Sequence, residues 1–291
     1  MLKLLDLSGK IDPSTVELYE RLDRITATIG VPFFLVGATA RDSIMEVGFS
    51  IHSARATNDV DIALRVSGWD EFNRLKHALL DSGEFADARE AQRLIYRNGL
   101  SVDFIPFGGT TDSDGRLSWP PSHDFVMSTV GFEEASQAAQ LVRVRARPPL
   151  DIRVASPAGL AILKIIAWAD RPLERERDAY DLAFIMENYL DAGNYERLIE
   201  EHPDLVKVED FDYTKAGCRL LGRDIASIAS RETRGRIKET LEGETTETGR
   251  YRLVRQIVQR STLTGGEGQR FEDILAFLNE LRTGINEGQT Q

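Results

Sequence analysis

The sequence predicts an α+β fold, with a strand-rich first half followed by an all-helical second half. Short apolar runs of β-forming residues, bounded by turn signals, recur up to about residue 155. After Ser156-Pro157 the apolar spacing turns helical and stays so. At 291 residues, 42% hydrophobic and 29% charged, the chain has room for two globular domains, placed at 1–155 and 156–291.

The elements follow in order. Residues 14–29 read as an amphipathic helix, with Val16, Tyr19, Leu22 and Ile25 on one face. Phe33-Phe34-Leu35-Val36 reads as a strand, followed by a turn at Gly37 and a helix carrying Ile44, Met45 and Val47. A polar loop at 52–57 leads to a strand at 58–64, then a helix over 69–82 with Phe72, Leu75, Leu79 and Leu80 inward. Runs at 92–96 and 100–107 flank Arg97-Asn98-Gly99, a hairpin signal. Residues 108–123 read as a loop, either a substrate lid or plain surface. Strands at 141–145 and 152–155 complete the first half. Ser156 and Pro157 then open a helix that is apolar nearly all round and so belongs in a core. Another helix begins near Arg175, and further helical runs cover 215–227, 234–241 and 271–281. Residues 243–249, 262–268 and the tail from 288 read as loops or frayed ends.

The chemistry concentrates in Asp59-Val60-Asp61. Residues two apart on a strand share a face, so two carboxylates project side by side from an apolar segment. At ~4 Å and an effective dielectric of ~20, their repulsion is about 4 kcal/mol. Something positive must offset it, and a divalent cation is the simplest candidate. Asp103, in the strand-like run Leu100 to Ile105, supplies a third carboxylate. Three such groups on adjacent strands suit two-metal phosphoryl or nucleotidyl transfer, with Mg²⁺ on oxygen ligands. Upstream, Gly37 at a strand-to-helix turn would let a phosphate approach the backbone. Lys164 is the only charge on its apolar helix. It would meet either an anion or a neighbouring carboxylate such as Asp178 or Asp181, which lie three apart on one helix face.

The order Gly37-Ala38, Asp59-x-Asp61, Asp103 resembles the polymerase-β-like nucleotidyltransferase superfamily. Lys164-Ile165-Ile166-Ala167-Trp168 and Asp178-Ala179-Tyr180-Asp181-Leu182 narrow the resemblance to the AbiEii/AbiGii toxin group, over about residues 31–190. The resemblance implies a catalytic domain with a mixed sheet and flanking helices, followed by a helical domain contributing Lys164 and the Asp178/Asp181 motif. It implies a nucleoside triphosphate lying over Gly37, with phosphates near Ala38, Thr39 and Arg41. Two Mg²⁺ ions would sit on Asp59, Asp61 and Asp103, with Lys164 toward the triphosphate and Asp178 and Asp181 part of the nucleotide site. A tRNA 3′ end would be the acceptor and a separately encoded antitoxin the partner. The chain departs from the pattern in three places. Ala38 replaces the family's second glycine or serine, Arg177 stands where relatives often carry lysine, and the Gly37-to-Asp59 spacing is long.

The net charge of −11 argues against broad nonspecific nucleic-acid binding. A local basic patch would come from Arg143, Arg145, Arg147 and Arg153, or from Arg171, Arg175 and Arg177; the first set equally suits a charged edge strand. No apolar run reaches the ~20 residues of a membrane helix. The N-terminus does not read as a signal peptide, and one cysteine fits a reducing cytoplasm. His52, His77, His123 and His202 do not cluster at ligand spacings. A nucleotidyltransferase acting on a protein or small molecule, and a catalytically silent binding module of the same fold, are the competing readings.

Overall fold

The computed structural model describes residues 4–53, 59–260 and 266–288. Most of the polar loop at 52–57, most of the loop at 262–268 and the end of the tail lie outside them. The chain divides into two units, Met1–Ser156 and Pro157–Gln291.

The first unit opens with a short strand, β1 (Leu5–Asp6), and α1 (Pro13–Ile29). Asp12 caps α1 by accepting from the Ser14 and Thr15 amides, Pro13 takes the first helical position, and Gly30 ends the helix in the left-handed region. Then follow β2 (Phe33–Val36), α2 (Gly37–Arg41) and a π-helical stretch, Asp42–Gly48. Next come β3 (Asp59–Val66), α3 (Trp69–Asp81), β4 (Phe85–Asp87), β5 (Arg93–Tyr96), a 3₁₀ turn at Arg97–Gly99 and β6 (Leu100–Gly108). The unit closes with β7 (Arg116–Ser118), β8 (Val126–Ser128), α4 (Phe132–Gln137), β9 (Gln140–Arg145) and β10 (Leu150–Val154).

Among the described residues, eight strands form one mixed sheet in the order β1-β9-β10-β2-β3-β6-β5-β4. β3 and β6 run parallel at its centre; β2 is antiparallel to β3 and parallel to β10, and β5 is antiparallel to both β6 and β4. Val60, Ile62 and Leu64 of β3 are buried, and Leu64 shares a small cavity with Phe72, Leu75 and Leu79 of α3. That apolar face leaves the alternate positions, Asp59 and Asp61, on the other side.

Two expectations change here. The stretch 108–123 is not simply a loop, because β7 pairs with β8. Its Trp119 is buried against Trp69 and Phe72, with ring centroids 5.5 and 5.7 Å apart. Aromatic burial of that size anchors the segment onto α3 rather than leaving it as a lid. Nor is β9 an edge strand, since β1 lies outside it. Arg143 grips Asp151 across the β9–β10 pair at 2.7 and 2.8 Å, and Arg145 grips Glu20 of α1 at 2.9 and 3.0 Å. Arg153 donates to the Ser136 carbonyl. Arg143 and Arg145 are thus held in ion pairs with carboxylates of the same unit.

The second unit contains α5 (Pro157–Asp170), α6 (Glu176–Glu187), α7 (Tyr195–Glu200), α8 (Tyr213–Ile228), α9 (Arg231–Thr245), α10 (Arg252–Arg260) and α11 (Glu267–Glu287). The helix α9 runs past Gly243, where the sequence suggests a loop. α8 and α11 cross at Gly222 and Gly284. A Cβ on Gly222 would strike the Leu281 carbonyl, and one on Gly284 the Arg219 carbonyl. Among the described residues no helix is long and apolar enough to cross a membrane.

Candidate active site

The site is built by register. Val36 at the end of β2 lies opposite Asp61, so the next residue, Gly37, meets the Asp61 side chain. Gly37 has a φ of 65°, and a Cβ there would collide with the Asp61 carboxylate. Only glycine combines that conformation with that contact. Across the parallel β3–β6 pair, Asp61 stands directly opposite Asp103, and Asp59 opposite Ser101. The three carboxylates therefore share one face of two adjacent strands. The Thr39 hydroxyl donates to the Asp59 carbonyl at 2.7 Å, and the Ser43 hydroxyl donates to the Thr39 carbonyl at 2.7 Å. This chain of bonds ties the first turn after β2 to the start of β3. A cleft of about 540 Å³ opens beside it, with Lys10, Thr15, Thr39, Ser43 and Asp59 among its lining residues.

One member of the cluster escapes sequence reasoning. Arg93, on β5, lies opposite Asp103. Its Nε donates to Asp103 Oδ1 at 2.7 Å and its Nη2 to Asp103 Oδ2 at 2.8 Å. The same Nη2 lies 3.4 Å from Asp59 Oδ2. The bond to Asp103 raises the Arg93 pKa above its already high ordinary value, so the guanidinium carries a full charge. The signal was present in the hairpin: counting back from Arg97-Asn98-Gly99 pairs Tyr96 with Leu100 and Arg93 with Asp103.

Carboxylate oxygens suit a hard divalent ion, and Asp59 and Asp61 present theirs on one face. Yet both Asp103 oxygens are engaged by Arg93. Among the described residues, no group of three or more His, Cys, Asp or Glu side chains is arranged to hold a metal. The expected three-carboxylate cage is thus modified, because a guanidinium already supplies part of the positive charge. Arg41 also departs from expectation. It is fully buried and binds Asp42, a residue lining the cleft, through Nε at 2.8 Å. Ala38 is buried as well, while Thr39 is partly accessible.

In the second unit Lys164 forms the ion pairs that the sequence offered as the alternative to an anion. Its Nζ lies 2.8 Å from Asp178 Oδ1 and 2.6 Å from Asp181 Oδ2. Burial alone would lower the Lys164 pKa, but the two carboxylates outweigh it and the pKa is raised. Asp181 is wholly buried and Asp178 nearly so, which places both beside the ammonium they neutralise.

Gly37, the paired carboxylates Asp59 and Asp61, and Asp103 thus stand together on neighbouring strands of the first unit. Residues 20–202 match the family described as nucleotidyl transferase AbiEii toxin, type IV TA system, and the chain belongs to that family. Among solved structures it is similar to the antibiotic-resistance factor ANT(2'')-Ia, at 11% identity over 68% of this chain and 97% of that one, with a TM-score of 0.36. A CCA-adding enzyme in complex with ATP is 12% identical over 91% of this chain and 66% of that one, with a TM-score of 0.33. The Thermotoga maritima CCA-adding enzyme complexed with tRNA is 11% identical over 97% and 83%, also with a TM-score of 0.33. No curated protein matches the chain in sequence.

Proposed function

We propose that this nucleotidyltransferase moves a nucleoside monophosphate from a nucleoside triphosphate to the 3′ end of tRNA. It would do so as the cytoplasmic toxin of a toxin–antitoxin or phage-defence pair, neutralised by a cognate antitoxin protein. The observation that carries the transfer chemistry is the register that sets Gly37 against Asp61 and Asp61 against Asp103. Family membership supports the toxin role, and the resemblance of the motifs supports the tRNA acceptor.

Asp59 and Asp61 would hold Mg²⁺, with Asp103 joining as Arg93 allows. When bound, the ions would neutralise charge on the phosphate oxygens. Gly37, with no side chain, lets the Asp61 carboxylate sit against the turn at the end of β2. Thr39 and Ser43 hold the turn against β3. The acceptor hydroxyl would release its proton to water and attack the α-phosphate, forming the new P–O bond as the bond to pyrophosphate breaks. The Lys164 role at the departing phosphates rests on the family motif.

A second reading, transfer to a protein or small molecule, is favoured by one observation. Arg143 and Arg145 are paired with carboxylates of this chain, and the net charge is −11. Incubation with each α-labelled triphosphate and total RNA separates the two. Label on RNA, lost in Asp61→Ala and on chelation of divalent cations, is the expected result. Label on protein alone supports the second reading, and retained transfer in Asp61→Ala removes the assignment of this site. Growth arrest on expression, relieved by Asp61→Ala, tests the toxin role.

A further inference from the structure

We infer that Arg93 is a positioning residue acting as the built-in counter-ion of the carboxylate site. It holds Asp103 and Asp59 together without a divalent cation and weakens the binding of that cation by competing for the same oxygens. The inference rests on the reading of Asp59 and Asp61 as cation ligands.

Two adjacent strands align Asp61 with Asp103, and the carboxylates repel one another unless a positive charge intervenes. Arg93 supplies that charge from the third strand of the same row. Its planar fork takes both oxygens of Asp103, the geometry in which arginine binds carboxylates most strongly. Its reach to Asp59 spans the space between the two acids. The Arg93 side chain is 26% exposed and that of Asp103 16%, so solvent screens the pair only in part. A cation arriving at these carboxylates meets a like charge within a few ångströms. It must displace the guanidinium from Asp103 or bind against its repulsion, and either course lowers affinity. The arrangement keeps the acids assembled between turnovers and keeps the cation exchangeable.

The test is Mn²⁺ binding to the whole protein, followed by the electron paramagnetic resonance of free Mn²⁺ with no nucleotide present. Arg93→Gln removes the charge and should bind Mn²⁺ about tenfold more tightly than the native chain. In the absence of cation the same variant should melt earlier, because Asp103 has lost the guanidinium that grips both its oxygens, and saturating Mn²⁺ should close most of that gap. Arg93→Lys keeps a charge but loses the two-pronged grip, so its affinity should fall between the two. It also serves as the deciding variant if circular dichroism shows Arg93→Gln unfolded. Unchanged or weaker Mn²⁺ binding in the folded variant overturns the inference. Adding Asp61→Asn to Arg93→Gln should abolish the gain; a gain that survives places the ion elsewhere and overturns it too. Label transfer by the native chain is scored separately. A native chain that transfers label while Arg93→Gln binds Mn²⁺ no more tightly defeats this inference alone. A chain that transfers nothing while the affinity still rises defeats only the proposed activity.

Discussion

At Gly37 the absence of a single carbon decides the site. The backbone conformation is left-handed, and the space a Cβ would need is filled by the Asp61 carboxylate. Gly37→Ala must either twist the turn or push Asp61 aside. Strain of this kind costs about 1–3 kcal/mol. Displacing a reacting group by about an ångström lowers rates by about 100-fold. Loss of label transfer should therefore exceed the loss of stability, which a urea melt measured beside the transfer assay would show. Glu187 on α6 makes a different residue-scale prediction. Burial pushes its pKa from 4.5 up to about 7. The folded protein then holds a proton that the unfolded chain has released, so stability falls as pH rises from about 4.5 to about 7. The effect is on the order of 2–3 kcal/mol, and Glu187→Gln should flatten that slope in melts taken from pH 5 to 8.

Among the elements, the β5–β6 hairpin and the α8–α11 crossing do the most positioning. The hairpin carries Arg93 to Asp103 because its turn fixes the register, and a slip of one residue would turn Arg93 to the other face. This pairing was legible in the turn residues, whereas the grip of Arg93 on Asp103 was not, since side-chain rotamers depend on the third strand being in place. At the crossing, Gly222 and Gly284 let two backbones approach, and Arg219 and Arg223 of α8 both donate to Glu287 of α11. Gly222→Ala should lower stability by about 1–3 kcal/mol in urea unfolding, because the obstruction is a backbone carbonyl that cannot step aside. On α5, Lys164→Ala would leave Asp178 and Asp181 buried beside each other. A loss of about 3–5 kcal/mol is expected, partly restored by adding Asp181→Asn.

For the whole molecule the prediction concerns cation linkage. A ligand that binds only the folded chain raises stability by about 2.7 kcal/mol at a hundredfold excess over its dissociation constant. Mg²⁺ should therefore raise the melting temperature of the native protein and leave that of Asp61→Asn nearly unchanged. An equal rise in both would show that the ion acts elsewhere. The charge distribution belongs to this scale as well. Of the arginines that alternate along the sequence as a candidate patch, Arg143 is drawn to Asp151 and Arg145 to Glu20. Composition gives their number and net balance, but pairing is settled by which elements become neighbours.

The amino-acid sequence by itself determined the α+β class, the hairpin, the capped and apolar helices, and the order of Gly37, Asp59, Asp61 and Asp103. These depend on local spacing, turn chemistry and the period-two face of a strand. The tertiary structure alone decided that Arg93 occupies the third carboxylate, that Arg41 is buried on Asp42, and that Lys164 lies between two aspartates. A charged side chain is committed by whichever opposite charge folding brings within reach, and that is a property of three-dimensional neighbours.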